Sequence, residues 1–111
     1  MADWERVEAE AAAIVAERPS EYDEPTRQNL AELFQLIQAT RRPAPLLSPG
    51  YWPTFCIEWD VEGSNNLQIE VFADRYEVYR FFDGRTDIWY EHHEPGEPLS
   101  SAFLSELPDP T

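Results

Sequence analysis

Between Thr54 and Glu91 turn residues cut the chain into four short alternating runs, and few folds accept that arrangement. In "TFCIEWD", Phe55, Ile57 and Trp59 fall on one side and Cys56 and Glu58 on the other; "LQIEVF" sets Leu67, Ile69 and Val71 against Gln68, Glu70 and Phe72. "RYEVYRFF" and "RTDIWYE" follow, and the breaks between runs are "EGSNN", Ala73-Asp74 and Asp83-Gly84. Strand side chains alternate between two faces, so each run has one side to bury and one to leave outside. Connections this short join antiparallel neighbours, and the segment is expected to form a four-stranded meander.

Turn length then decides which side chains share a face. A two-residue type I′ turn at Asp83-Gly84 sets Arg80 opposite Asp87, Val78 opposite Trp89 and Tyr79 opposite Ile88. A two-residue turn at Ala73-Asp74 sets Val71 opposite Tyr76, Ile69 opposite Val78, and Glu70 beside Glu77. The inner face gains Tyr76, Val78 and Trp89. The outer face carries Phe72, Tyr79, Phe81, Ile88 and Tyr90 beside Glu58, Glu70 and Glu77, an aromatic patch with an acidic border. A three-residue loop with a bulge would exchange the faces of the last strand, sending Trp89 outward and Ile88 and Tyr90 inward. Tyr79 and Phe81 stay outside in either register. Seven of the fifteen aromatic residues lie between positions 70 and 91, and one helix layer covers only one sheet face. The first helix or the tail, folded over the outer aromatics, is the alternative to an exposed interface.

Upstream, Trp4, Val7, Ala11 and Ile14 recur at helical spacing among acids and predict an amphipathic helix over 3–17, with an apolar stripe narrow enough for a domain edge or a partner. A second helix is predicted over about 25–40. Asp23 or Glu24 stands at its cap and Pro25 in its first turn; Leu30, Leu33, Phe34 and Ile37 share one face, with Arg27, Asn29, Glu32 and Gln35 outside it. Arg41 and Arg42 suit its C-terminal end and Pro43 stops it. "RPAPLLSPGYWP" reads as a semi-extended connection along the domain edge. The 111 residues make one α+β domain. It divides into an N-terminal helix and link (1–24), a core of helix plus four-stranded antiparallel sheet (25–98), and a tail (99–111). In the tail Leu99, Phe103 and Leu104 form a docking turn before a mobile proline-rich end.

Charge restricts the partners. Twenty-two acidic residues oppose eight basic ones, all Arg, for a net charge of −14. Such a chain repels nucleic acid and anionic membranes and is drawn to basic surfaces. The absence of Lys beside much Ala, Pro and Trp resembles the codon bias of a GC-rich bacterial or phage genome. The acidic start "MADWERVEAE", the single cysteine and the lack of a long apolar run favour a reducing cytoplasm.

Chemical motifs are scarce. His92 and His93 stand beside Glu91 and Glu94, but adjacent strand residues face opposite ways and no HExxH or cysteine partner accompanies them, so a solvated strand end is expected. Cys56 sits mid-strand among hydrophobes and reads as a small buried hydrophobe. Carboxylate spacing says little in so acidic a chain, and four glycines form no phosphate loop. No catalytic residue, metal ligand or cofactor is expected, and an enzyme is the weakest of three readings.

The run "FCIEWD…LQIEVFADRYEVYRF" resembles small uncharacterised bacterial α+β proteins, in which one helix and a proline-rich link precede a strand ending in Trp-Asp or Trp-Glu, an aliphatic strand, a tight turn and a Tyr-bearing strand. The likeness spans about residues 25–91 and carries no catalytic residue with it. By type, in size and acidity, the chain is similar to anti-CRISPR proteins and other phage-encoded inhibitors, antitoxins and immunity proteins. That likeness implies stoichiometric inhibition, with acids standing where nucleic-acid phosphates would lie in a basic nuclease, toxin or CRISPR effector. The expected partner-binding residues are Glu58, Glu70, Phe72, Glu77, Tyr79, Phe81, Ile88 and Tyr90. A self-assembling or chaperone-like module, a homodimer in its simplest form, is the second expectation.

Overall fold

The computed structural model describes residues 2–51, 53–59 and 66–110. The expected turn "EGSNN" lies outside the described residues except for Asn66, whose φ is +55°. The elements run α1 (Ala2–Glu17), α2 (Glu24–Ala39), β1 (Leu46–Pro49), β2 (Phe55–Glu58), β3 (Leu67–Val71), β4 (Arg75–Phe82), β5 (Arg85–His92) and α3 (Ser101–Glu106). Five strands, each antiparallel to the next, form one sheet in the order β1-β2-β3-β4-β5. The class is α+β as expected, with five strands rather than four. The additional strand is the connection, whose Leu47 pairs with Ile57 and Pro49 with Phe55.

Local chemistry sets the helices. Asp23 caps α2, its Oδ1 accepting from Thr26 N at 2.9 Å and from Thr26 Oγ1 at 2.7 Å, with Pro25 in the first turn. At the other end Arg41 N donates to Gln38 O and Arg42 N to Ile37 O, both at 3.0 Å. These two bonds make a Schellman motif, with Arg41 at φ +59° where glycine is usual. α1 uses its narrow stripe at the domain edge: Val7 and Ile14 are buried, Trp4 packs edge-on against Phe34 at 5.7 Å, and Arg6 Nη2 donates to Pro45 O.

The register of the meander follows from its turns. Arg80 faces Asp87, Val78 faces Trp89, Tyr79 faces Ile88, and Glu70 lies opposite Glu77. The bulged alternative is therefore not adopted. The Asp83-Gly84 turn keeps two residues but is not type I′, because Asp83 is not among the positive-φ residues and only Gly84, at +79°, is left-handed. A positive φ at the second central position alone is the type II pattern.

One core fills the inner face, where Leu30, Leu33, Phe34 and Ile37 of α2 meet Phe55, Ile57, Leu67, Ile69, Val71, Tyr76 and Val78. Two residues placed outside the α2 stripe belong in this layer: Asn29 is fully buried and Glu32 half-buried. The Asn29 amide nitrogen and the Glu32 carboxylate have specific partners, whereas Asn29 Oδ1 has none among the described residues. The two hydrogens of Asn29 Nδ2 serve three carbonyls, Phe72 O, Ala73 O and His93 O at 2.9, 3.2 and 3.0 Å, so one of them is shared. Glu32 Oε1 lies 2.9 Å from Nε2 of His93, which is 1% exposed and not the solvated strand end its neighbours suggested. Strand alternation explains the split pair, since His92 points out and His93 continues the inward line of Trp89 and Glu91.

The tail docks more fully than expected. Ser100 caps α3 through Phe103 N, and Phe103 inserts against Tyr76 and Trp89. Arg80 holds Glu106 at 2.8 Å, and Arg42 Nη1 donates to buried Pro108 O at 3.1 Å, so anchoring extends to Pro108 where a mobile end was expected. No described helix is long and apolar enough to cross a membrane.

Candidate protein-interaction face

Both coverings available to the outer aromatics lie on the other side of the sheet: α1 joins the inner core, and α3 packs on Tyr76 and Trp89. Among the described residues no helix covers the outer face. Its rows are Leu46 and Ser48, Cys56 and Glu58, Gln68 and Glu70, Arg75, Glu77, Tyr79 and Phe81, and Thr86, Ile88, Tyr90 and His92. Seven of the eight expected partner-binding residues stand in these rows. Phe72, just past β3, joins them at the border, where the Arg75 guanidinium lies 3.9 Å from its ring centre.

The apolar part is open, with Phe81 39%, Ile88 61% and Tyr90 67% exposed. Exposed aromatic and aliphatic side chains in adjacent strands are the composition of an interface centre.

The acids are more tightly held than their number implies. Glu70 and Glu77 sit directly opposite, an arrangement of like charges that costs stability in a sheet. Four neighbours offset it. Tyr79 OH gives its single proton to Glu77 Oε1 at 2.5 Å and lies 3.5 Å from Glu70 Oε1; Arg75 Nε donates to Glu77 Oε2 at 2.9 Å. Glu70 Oε2 accepts from Tyr51 N at 3.0 Å and from the Thr54 hydroxyl. Thr54 is itself fixed by Gly50, whose N–H donates to Thr54 O at 2.8 Å and whose missing Cβ would overlap Thr54 Oγ1. Glu58 Oε2 accepts from Gln68 Nε2 at 3.1 Å. The result is three carboxylates in fixed positions, each with acceptor capacity left over.

Arg75 and Leu46 also belong to this face and were missed in sequence, while Gln68, expected to point outward, was not among the expected partner-binding residues. Arg75 was findable, since it lies two residues from Glu77 on the same strand face. Cys56 is half-buried on this polar face rather than among hydrophobes. Burial, then the charges of Glu58 and Glu70, pushes its thiol up, against the hydrogen bond to Ser48. Such a thiol holds little thiolate at neutral pH.

Burial first, then the hydrogen bond and charge of Glu77 and the charge of Glu70, also raises the Tyr79 hydroxyl; burial followed by Glu32 and Glu91 raises that of Tyr76. Both groups bind their proton more tightly folded than unfolded. The stability they contribute is fully present below the ordinary tyrosine value of about 10 and is lost as the pH rises beyond it. The thermal midpoint is therefore expected to fall above about pH 10, and Tyr76→Phe to flatten that fall. A pH-independent midpoint through that range would contradict the assignment.

Two further features stand apart from the aromatic and acidic cluster, the first of them at the His92 end of the outer face. A turn at Gly96 brings Glu94 and Glu97 back to His92, with the three donor atoms within 4.8 Å of one another on an exposed surface. These are zinc-type donors, and they are the one such grouping among the described residues. Between α1 and α2 runs an apolar groove of about 730 Å³ lined by Ala11, Val15, Leu30, Ala31 and Phe34. No protein-family model matches this chain, and neither curated proteins nor solved structures provide a match.

Proposed function

We propose that the protein acts by stoichiometric attachment, its outer sheet face seated on a basic nucleic-acid-handling protein such as a nuclease, toxin or CRISPR effector, whose access to nucleic acid it blocks. The supporting observation is the pairing, on a sheet face that no described helix covers, of an exposed apolar cluster, Phe81, Ile88 and Tyr90, with the fixed carboxylates Glu58, Glu70 and Glu77. Each part has a role. Aromatic anchors supply most of the energy in interfaces of this kind. Carboxylates already immobilised by Tyr79, Arg75, Thr54 and Gln68 lose little further side-chain freedom when a partner's Arg or Lys arrives. The net charge of −14 speeds encounter with a basic target and makes association sensitive to salt.

The test is capture from a lysate of the source cell at low and high salt, beside Phe81→Ala/Tyr90→Ala. Both side chains are exposed, so the double variant should stay folded. A basic nucleic-acid enzyme retained at low salt, released at high salt and bound at least tenfold more weakly by the variant is the expected result. Capture unaffected by both salt and the variant would refute the reading.

A further inference from the structure

The two edges of the sheet are built differently. The β1 edge is four residues long, contains Pro49, follows Pro43 and Pro45, and is held by α1 through Arg6. These are devices that stop an edge from pairing. β5 has none of them. It is eight residues long, contains no proline, and pairs with β4 without a bulge from Arg75↔His92 to Phe82↔Arg85.

The ladder shows which groups are left over. A two-residue turn makes Phe82 and Arg85 a hydrogen-bonded pair, so the odd-numbered residues of β5 bond to β4. His93 N, bonded to Asp74 O at 2.8 Å, continues that alternation. The N–H and C=O of Thr86, Ile88 and Tyr90 therefore point away from the sheet. Among the described residues no backbone hydrogen bond from another segment reaches them.

We infer that a second copy of this chain pairs here, β5 against β5 and antiparallel, about a two-fold axis at Ile88. Charge and paired length together select the register. Centred on Ile88, Arg85 of each copy faces Glu91 of the other, Thr86 faces Tyr90, and Ile88 faces Ile88. Centring on Asp87 sets Asp87 against Asp87, and centring on Trp89 sets Asp87 against Glu91, both like-charge pairs. The favoured register closes about six backbone hydrogen bonds through Thr86, Ile88 and Tyr90. It joins two sheets into one and sets two outer faces side by side. The inference does not rest on the inhibitor reading.

The experiment combines sedimentation velocity with concentration-dependent amide exchange on the intact chain, beside Ile88→Pro and Arg85→Glu. Proline at 88 deletes an edge donor without removing a β4 bond, and the Arg85 side chain is 66% exposed, so circular dichroism should report both variants folded. A dimer is expected whose dissociation constant rises at least tenfold in each variant. With it, the amides of Thr86, Ile88 and Tyr90 should become protected as concentration increases. A chain that stays monomeric, a dimer equally tight in both variants, or exchange at those amides independent of concentration would overturn the inference.

Discussion

Asn29→Asp is expected to be the most damaging isosteric change in the molecule. Asn29 is fully buried, and its amide nitrogen ties α2 to the β3–β4 turn and to the chain end beyond β5 through three carbonyls. Aspartate keeps the shape and replaces the amide donor, so a buried carboxyl faces three carbonyl oxygens. Leaving such a group uncompensated costs about 3–5 kcal/mol, a large part of the roughly 5–15 kcal/mol that holds a domain together. The loss should depend on pH. The buried carboxyl retains its proton, raising its folded value above the unfolded one of about 4. The penalty is therefore smallest below about pH 4 and grows as the pH rises. Denaturant midpoints at acid and neutral pH measure this directly; a variant within about 1 kcal/mol of the parent at both would contradict the role given to Asn29.

The second large effect is expected from Tyr76→Ala. The ring is fully buried, stacks on His93 at 5.1 Å, lies 5.2 Å from Phe103, and its hydroxyl donates to Asn29 O at 2.6 Å. It joins sheet, α2, α3 and the His93–Glu32 pair. Truncation should cost about 3–5 kcal/mol, whereas Tyr76→Phe, which keeps the ring, should cost about 1–2 kcal/mol. Because Tyr76 and Asn29 share a hydrogen bond, the effects of Tyr76→Phe and Asn29→Asp should not add. Equal losses for Tyr76→Phe and Tyr76→Ala, read from the same unfolding curves, would assign the ring no packing role.

The sheet was legible in the sequence because a period of two, interrupted by two-residue turns, leaves little freedom in register. That logic gathers Tyr79, Phe81, Ile88 and Tyr90 on one face, as the strand register does. It failed where tertiary pairing decides. β1 is four residues between prolines, and only its ladder to Phe55–Glu58 makes it a strand. Asn29 and His93 were misplaced because polarity was weighed above position. Asn29 lies four residues before Leu33 on the buried side of α2, and His93 two residues after Glu91 on the inward line of β5. Their burial depends on partners distant in the chain, including Glu32 for His93 and three carbonyls for Asn29. The restraint of Glu70 and Glu77 was hidden for the same reason, since it needs Tyr79, Arg75 and Thr54 to converge on two opposed acids.

The role proposed for the outer face is tested most directly by photo-crosslinking in a lysate of the source cell. One probe replaces Phe81 on the outer face and another replaces exposed Ala31 in the groove between α1 and α2. The probe at 81 should capture a basic nucleic-acid-handling protein, less of it at high salt, and the probe at 31 should not. Capture of that protein from 31 alone, or of nothing but a second copy from 81, would contradict the account.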